Sequence, residues 1–257
     1  TSNNKKVKRI NPKTYLYESL EFLSHNILAL AKDQAGCRFL QEKLDSEQEL
    51  ACKYFYNAIQ PHLLTLMKDP FGNYFIQKLI SYLSTNEILK ILEVIFLNIL
   101  DLGSNTHGTR VIQHIICYLN TPEVIMYFLQ NIKPHVINLL KEPSSSHIIQ
   151  KFTCEHPHYA DGINEIILKN CCELAKSKYG CCVLQKYLNM SDKKLKKNLL
   201  YCLTSNCKEL IIDQYGNYVI QNVIYANDQK CNSLIIEEIC KNNESFLFYR
   251  KHRFSSN

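Results

Sequence analysis

Six glutamines stand at nearly constant intervals in this chain: Gln41, Gln77, Gln113, Gln150, Gln185 and Gln221, separated by 36, 36, 37, 35 and 36 residues. Each closes a version of one phrase: AGCRFLQ, FGNYFIQ, HGTRVIQ, SSSHIIQ, YGCCVLQ and YGNYVIQ. A glutamine amide carries an acceptor and a donor side by side, the pair needed to meet the edge of a nucleobase. Four residues before each glutamine stands a small or amide residue: Cys37, Asn73, Thr109, Ser146, Cys181 and Asn217. Three residues before it stand Arg38, Tyr74, Arg110, His147, Cys182 and Tyr218. Five of those six are planar, and planar side chains stack on bases for about 1–3 kcal/mol each. A solvated helix face mixes Lys, Glu and Gln freely, and a glutamine held beside planar residues six times over is not free mixing. The chemistry on offer is recognition of unpaired bases, one per phrase.

The elements that must carry these trios are helices. At about 100° per residue, Phe75, Ile76, Leu79 and Ile80 fall on one side of a helix. Asn73, Tyr74 and Gln77 form a separate arc, and Val219, Ile220, Val223 and Ile224 repeat the pattern around Asn217, Tyr218 and Gln221. Three residues before the small residue at Gly36, Gly72, Gly108, Ser145, Gly180 and Gly216 stand Asp33, Asp69, Asn105, Glu142, Ser177 and Asp213. Five of these are types that cap helix N-termini. Pro70 and Pro143 follow two of them and are expected at the first helical position, where a missing N–H costs nothing. An apolar helix precedes each phrase, as in Leu63 to Met67 and Val136 to Leu140, and a further segment such as Ile88 to Leu100 or Val124 to Leu129 fills the gap. The reading is an all-α solenoid with two to three helices per repeat, each repeat burying its apolar face only by stacking on its neighbours.

Composition agrees with that reading. The 257 residues are 46% hydrophobic and 21% charged, with only 7 Gly and 7 Pro. The net charge of +6 suits a polyanion, without being the strongly basic signature that would by itself point to nucleic acid. Residues 1–13 form a basic polar leader with no apolar stretch for a signal peptide, and Ile88 to Leu100 is too short to span a bilayer. A soluble protein with no membrane partner is expected. Its twelve cysteines are expected as reduced thiols, mostly buried among apolar residues.

The repeat length, the DPFGNYFIQKLI and DQYGNYVIQNVI phrases and the three-residue arc resemble the PUF (Pumilio) family over residues 14–257. Members of that family read RNA by a literal code of one base per repeat. The resemblance implies a right-handed α-solenoid of Pumilio-type repeats, six complete and the start of a seventh. It implies single-stranded mRNA as ligand, with the first and third arc residues at the base edge and the second stacking between bases. Asn73/Gln77 and Asn217/Gln221 then read uracil, with Asn73 donating to part of that edge. Cys37/Gln41 and Thr109/Gln113 read adenine. Ser146/His147/Gln150 departs from the family pattern, and Cys181/Cys182/Gln185 lacks a stacking platform. With RNA antiparallel to protein, the six repeats read U-A-N-A-U-A, part of a UGUANAUA element in 3′ untranslated mRNA. HRFSSN resembles the opening of a seventh repeat, placing Ser256 and Asn257 on its arc, so the chain is expected to be a fragment. The resemblance also implies a cytoplasmic monomer that recruits protein corepressors to repress translation or promote decay.

Other signals are weaker. Cys154, His156 and His158 share a loop, and Cys171/Cys172 and Cys181/Cys182 follow, but none has zinc-ligand spacing, so no metal or other cofactor is expected. Lys78, Lys151 and Lys186 flank the arcs and are as well explained as solvated lysines as by phosphate contacts. No nucleophile–base pair or phosphate loop is recognisable, so no enzyme is expected. A protein-binding scaffold of the HEAT or armadillo type would explain the helices but not the recurring glutamine trio.

Overall fold

A computed structural model of the chain describes residues 18–189, 193–241 and 247. The described residues form helices and turns without strands. They divide into two compact units, with the boundary between Phe128 and Leu129.

In the first unit each repeat contributes a leading helix, a short middle helix and a helix that bears the glutamine phrase. These are α1 (Leu20–His25), α2 (Ile27–Ala31) and α3 (Gln34–Ser46), then α4 (Gln48–Ile59), α5 (Leu63–Met67) and α6 (Gly72–Ile80), then α7 (Thr85–Leu97), α8 (Ile99–Ser104) and α9 (Thr106–Ile116). The second unit repeats the plan after α10 (Pro122–Ile132), whose last residues belong to it. It holds α11 (Val136–Leu140) and α12 (Ser146–Glu155), then α13 (Asp161–Lys169), α14 (Cys171–Ala175) and α15 (Gly180–Leu188), then α16 (Lys193–Ser205), α17 (Cys207–Ile211), α18 (Gly216–Tyr225) and α19 (Gln229–Cys240). The sequence expectation of two to three helices per repeat resolves to three.

One expected segment is divided. Ile88 to Leu100 is not one helix, because Asn98 ends α7 and begins α8. Its side-chain amide donates to the Val94 carbonyl at 2.8 Å, supplying a partner where the helical ladder stops. The left-handed region occurs among described non-glycine residues at Asn227, with φ 56°, where the chain turns from α18 into α19. Asparagine is among the few L-residues that tolerate this conformation.

The core lies among all three helices of each repeat. Leu63, Leu66 and Met67 of α5 are buried, as are Phe75, Ile76, Leu79 and Ile80 of α6, the four positions the periodicity marks as apolar. Phe55 meets Phe75 edge-on at 5.9 Å between centroids, and Phe96 meets Phe128 at 5.3 Å. Each fully buried side chain among these stabilises the fold by about 1.5–3 kcal/mol, and the half-buried Phe96 by less. Within the first unit α3 packs on α6 and α6 on α9, and within the second α15 packs on α18. Lys68 pairs with Asp101, and Lys176 with Glu209, each linking the middle helices of consecutive repeats.

The expectation of twelve free thiols is corrected at one pair, since the structure joins Cys171 to Cys202 as a disulfide. The other ten cysteines are free, five of them buried. The α13–α14 turn sets Cys171 against α16, a juxtaposition that a sequence separation of 31 conceals.

Candidate nucleic-acid interface

The start of each glutamine-bearing helix is built from a cap and a close backbone approach. Asp33 accepts from the Ala35 and Gly36 amides at 3.0 and 2.9 Å, and Asp69, Asn105 and Asp213 do the same two and three residues on. The Ser177 hydroxyl accepts from the Gly180 amide at 3.2 Å. Pro70 lies in a turn and not at the first helical position, because α6 starts only at Gly72. The Pro70 carbonyl accepts instead from the Asn73 side chain.

Glycine follows the cap because the preceding short helix ends against it. A Cβ added at Gly108 would lie 2.7 Å from the Leu102 carbonyl oxygen, and at Gly180, Gly36 and Gly216 the corresponding oxygens are 2.6, 2.5 and 2.8 Å away. Repeat four replaces this glycine with Ser145, whose hydroxyl donates to the Leu139 carbonyl at 2.7 Å. The oxygen that crowds a Cβ elsewhere is here a hydrogen-bond acceptor.

The trios come out alike in all six repeats. The first residue is buried: Cys37, Asn73, Thr109, Ser146, Cys181 and Asn217. The second is exposed: Arg38, Tyr74, Arg110, His147, Cys182 and Tyr218. The glutamines Gln41, Gln77, Gln113, Gln150, Gln185 and Gln221 are half-buried. Ser256 and Asn257 lie outside the described residues.

Burial changes the expected chemistry of the first position. The Asn73 amide donates to the Asp69 and Pro70 carbonyls at 2.7 and 3.0 Å, and its oxygen accepts from Gln77 Nε2 at 3.0 Å. Carbonyls only accept, so the amide orientation follows from its partners. Asn73 therefore has no donor left for a base, contrary to the expectation from sequence. It holds Gln77, whose Oε1 and second N–H remain for the ligand. Asn217 and Gln221 repeat this at 3.3 Å, with Asn217 donating to the Asp213 carbonyl. In repeat one, Gln41 donates to Cys37 Sγ at 3.2 Å. Burial raises the Cys37 thiol pKa, against the lowering effect of that bond, and pushes the Cys181 thiol up to about 11, so both are neutral at pH 7.

The middle repeats turn the first residue elsewhere. Thr109 donates its hydroxyl toward the Gly103 and Asn105 carbonyls, Ser146 toward Pro143, and Cys181 toward Lys178. Gln150 Nε2 is buried without a hydrogen-bond partner. The exposed positions also communicate: Arg110 Nη1 donates to Tyr74 Oη at 3.3 Å, so the planar groups of repeats two and three adjoin. The flanking lysines separate. Lys78 pairs with Asp45 and Lys151 with Glu155, both at 2.6 Å, while Lys186 is exposed.

The family model for the Pumilio-family RNA binding repeat matches residues 26–50, 62–96, 98–130, 170–200 and 206–240, more than half of the chain. The interval between the third and fourth matches contains the Ser145 repeat. The Puf4 RNA binding domain, in a structure bound to an HO endonuclease RNA 3′ UTR recognition sequence, is 29% identical, with a TM-score of 0.71 over 89% of this chain and 72% of that one. The RNA-binding domain of yeast Puf5p bound to SMX2 RNA is 30% identical, with a TM-score of 0.71 over 93% and 68%. Pumilio homolog 12 of Arabidopsis thaliana is 32% identical over 79 residues, which are 30% of this chain and 13% of that protein. Repeat length, helix plan, recurring trio and these matches agree, and the chain belongs to the PUF family of Pumilio-type RNA-binding repeat proteins.

Proposed function

We propose that this chain binds single-stranded RNA sequence-specifically, one base per repeat, through the six trios. The observation that carries the reading is their sixfold repetition of a buried, an exposed and a half-buried residue. Half-buried glutamines present an edge reader with limited freedom, and exposed Arg, Tyr and His present stacking faces. Relatives solved in complex with RNA support the ligand class. Gln77, held by Asn73, accepts from uracil N3–H and donates to a uracil carbonyl, and Gln221 with Asn217 does the same. Repeats one, three and five take adenine, and repeat four accepts any base. In RNA order the chain reads U-A-N-A-U-A within UGUANAUA-type elements of mRNA 3′ untranslated regions. It acts in the cytoplasm as a monomer that recruits corepressors to repress translation or promote decay, without catalysis of its own.

The test is competition binding at one salt concentration, with UAUAUA presented in a single strand and in a hairpin stem. Pairing hides the edges and faces the trios need, so the single strand should win by at least tenfold. Equal affinity for the two forms would overturn the proposal.

A further inference from the structure

Outside the trios, three sulfurs converge in the second unit. Cys171 and Cys172 open α14, and Cys202 faces them from α16 of the next repeat. Their Sγ atoms all lie within 4.8 Å of one another, with Cys171 to Cys172 at 4.0 Å. Cys171 is buried, and the other two are half-buried.

A cystine joining Cys171 and Cys202 uses two of these sulfurs and leaves the third without a role. Their Cα atoms are 7.3 Å apart, beyond the roughly 4.4–6.8 Å usual for a cystine. Once the bond is reduced, a Cα separation of this size leaves room for the two sulfurs to share a third atom. Tetrahedral zinc with Zn–S bonds of about 2.3 Å sets its sulfurs about 3.8 Å apart, close to the Cys171–Cys172 spacing. Thiolates select soft cations such as zinc.

We propose that the reduced chain holds one zinc ion through the thiolates of Cys171, Cys172 and Cys202, with solvent completing the coordination. The site ties the middle helix of repeat five to the leading helix of repeat six. Binding deprotonates the three thiols and releases three protons, with no electron transfer. The disulfide and the zinc site are alternative states of the same sulfurs, and zinc requires the reduced one.

The experiment uses the full chain, anaerobically reduced and metal-free, with Co²⁺ as the spectroscopic probe and Zn²⁺ as competitor. One equivalent of Co²⁺ should give a sulfur-to-cobalt charge-transfer band that Zn²⁺ abolishes, and Zn²⁺ should raise the melting temperature. Cys172→Ser and Cys202→Ser should each weaken uptake at least tenfold with helicity by circular dichroism retained, and Cys154→Ser should leave it unchanged. Absence of the band in wild type overturns the proposal. So does uptake undiminished in Cys172→Ser, which would mean a two-sulfur or adventitious contact, or a Cys171–Cys202 bond still intact by mass spectrometry after zinc loading.

Discussion

At the scale of single residues, the glutamine trio divides labour by depth. The Asn73 donors are occupied by backbone, so its contribution passes through Gln77. A guanine edge offers N1–H and N2–H donors and calls for a carboxylate. Serine already occupies the first position in repeat four, where Ser146 bonds the Pro143 carbonyl at 3.1 Å, so the backbone there accepts a hydroxyl. Asn73→Ser with Gln77→Glu should shift repeat two from uracil to guanine, favouring UAUAGA over UAUAUA by about 1–3 kcal/mol. Competition binding with both RNAs checks it, and a double mutant that still prefers uracil there contradicts the assignment. The exposed Cys182 offers no stacking face. Cys182→Arg should tighten cognate binding by up to about 1 kcal/mol. Unchanged affinity with the helicity intact would show that repeat five does not stack its base.

At the scale of elements, the junction between the short and the glutamine-bearing helix decides where each trio stands. Five glycines allow the preceding helix to end within about one atomic diameter of the next backbone, and Ser145 solves the same contact with a hydrogen bond. Gly108→Ala should therefore destabilise the protein by about 1–3 kcal/mol, the usual cost of overpacking. Gly108→Ser should cost less, because its hydroxyl can bond the Leu102 carbonyl as Ser145 bonds that of Leu139. Urea denaturation of the two variants measures the difference, and equal losses would mean that the crowding is not relieved by a donor. The recurrence of glycine is plain in the sequence. The reason for it is not, since the crowding oxygen belongs to a helix six residues earlier.

At the scale of the whole molecule, exposed ion pairs give stability a pH dependence. Lys176, Lys78 and Lys151 hydrogen-bond the carboxylates of Glu209, Asp45 and Glu155 and hold them below their ordinary ranges, with Tyr82 also donating to Asp45. A carboxylate whose folded pKa is depressed stabilises the fold above its unfolded value, and that contribution is lost as pH falls through the folded one. The melting temperature should be nearly flat from neutrality to about pH 5 and fall below about pH 4, within the ordinary carboxylate range. Lys176→Met should lower the neutral melting temperature slightly and make the acid limb shallower to the same small extent, because what acid removes is what the exposed pair contributes at neutrality. Thermal melts across that range test it, and an acid limb unchanged by the substitution would remove Lys176 from the account.

The amino-acid sequence by itself determined the repeat, the helix plan and the trio positions. Apolar spacing and caps are local properties, and six copies make them unmistakable. Phe75, Ile76, Leu79 and Ile80 had to be buried together whatever lay beyond them, and the structure buries all four. Tertiary structure decided how deep each trio residue lies, because a helical wheel gives direction without depth. It therefore decided that Asn73 spends its donors on Asp69 and Pro70, that Arg110 reaches Tyr74, and that Lys78 meets Asp45. It also decided that Cys202 joins Cys171 and Cys172. The last three are contacts between consecutive repeats, separated by about thirty or more residues. A helix period constrains neighbours three and four positions away, and only the stacking of one repeat on the next brings these partners into reach.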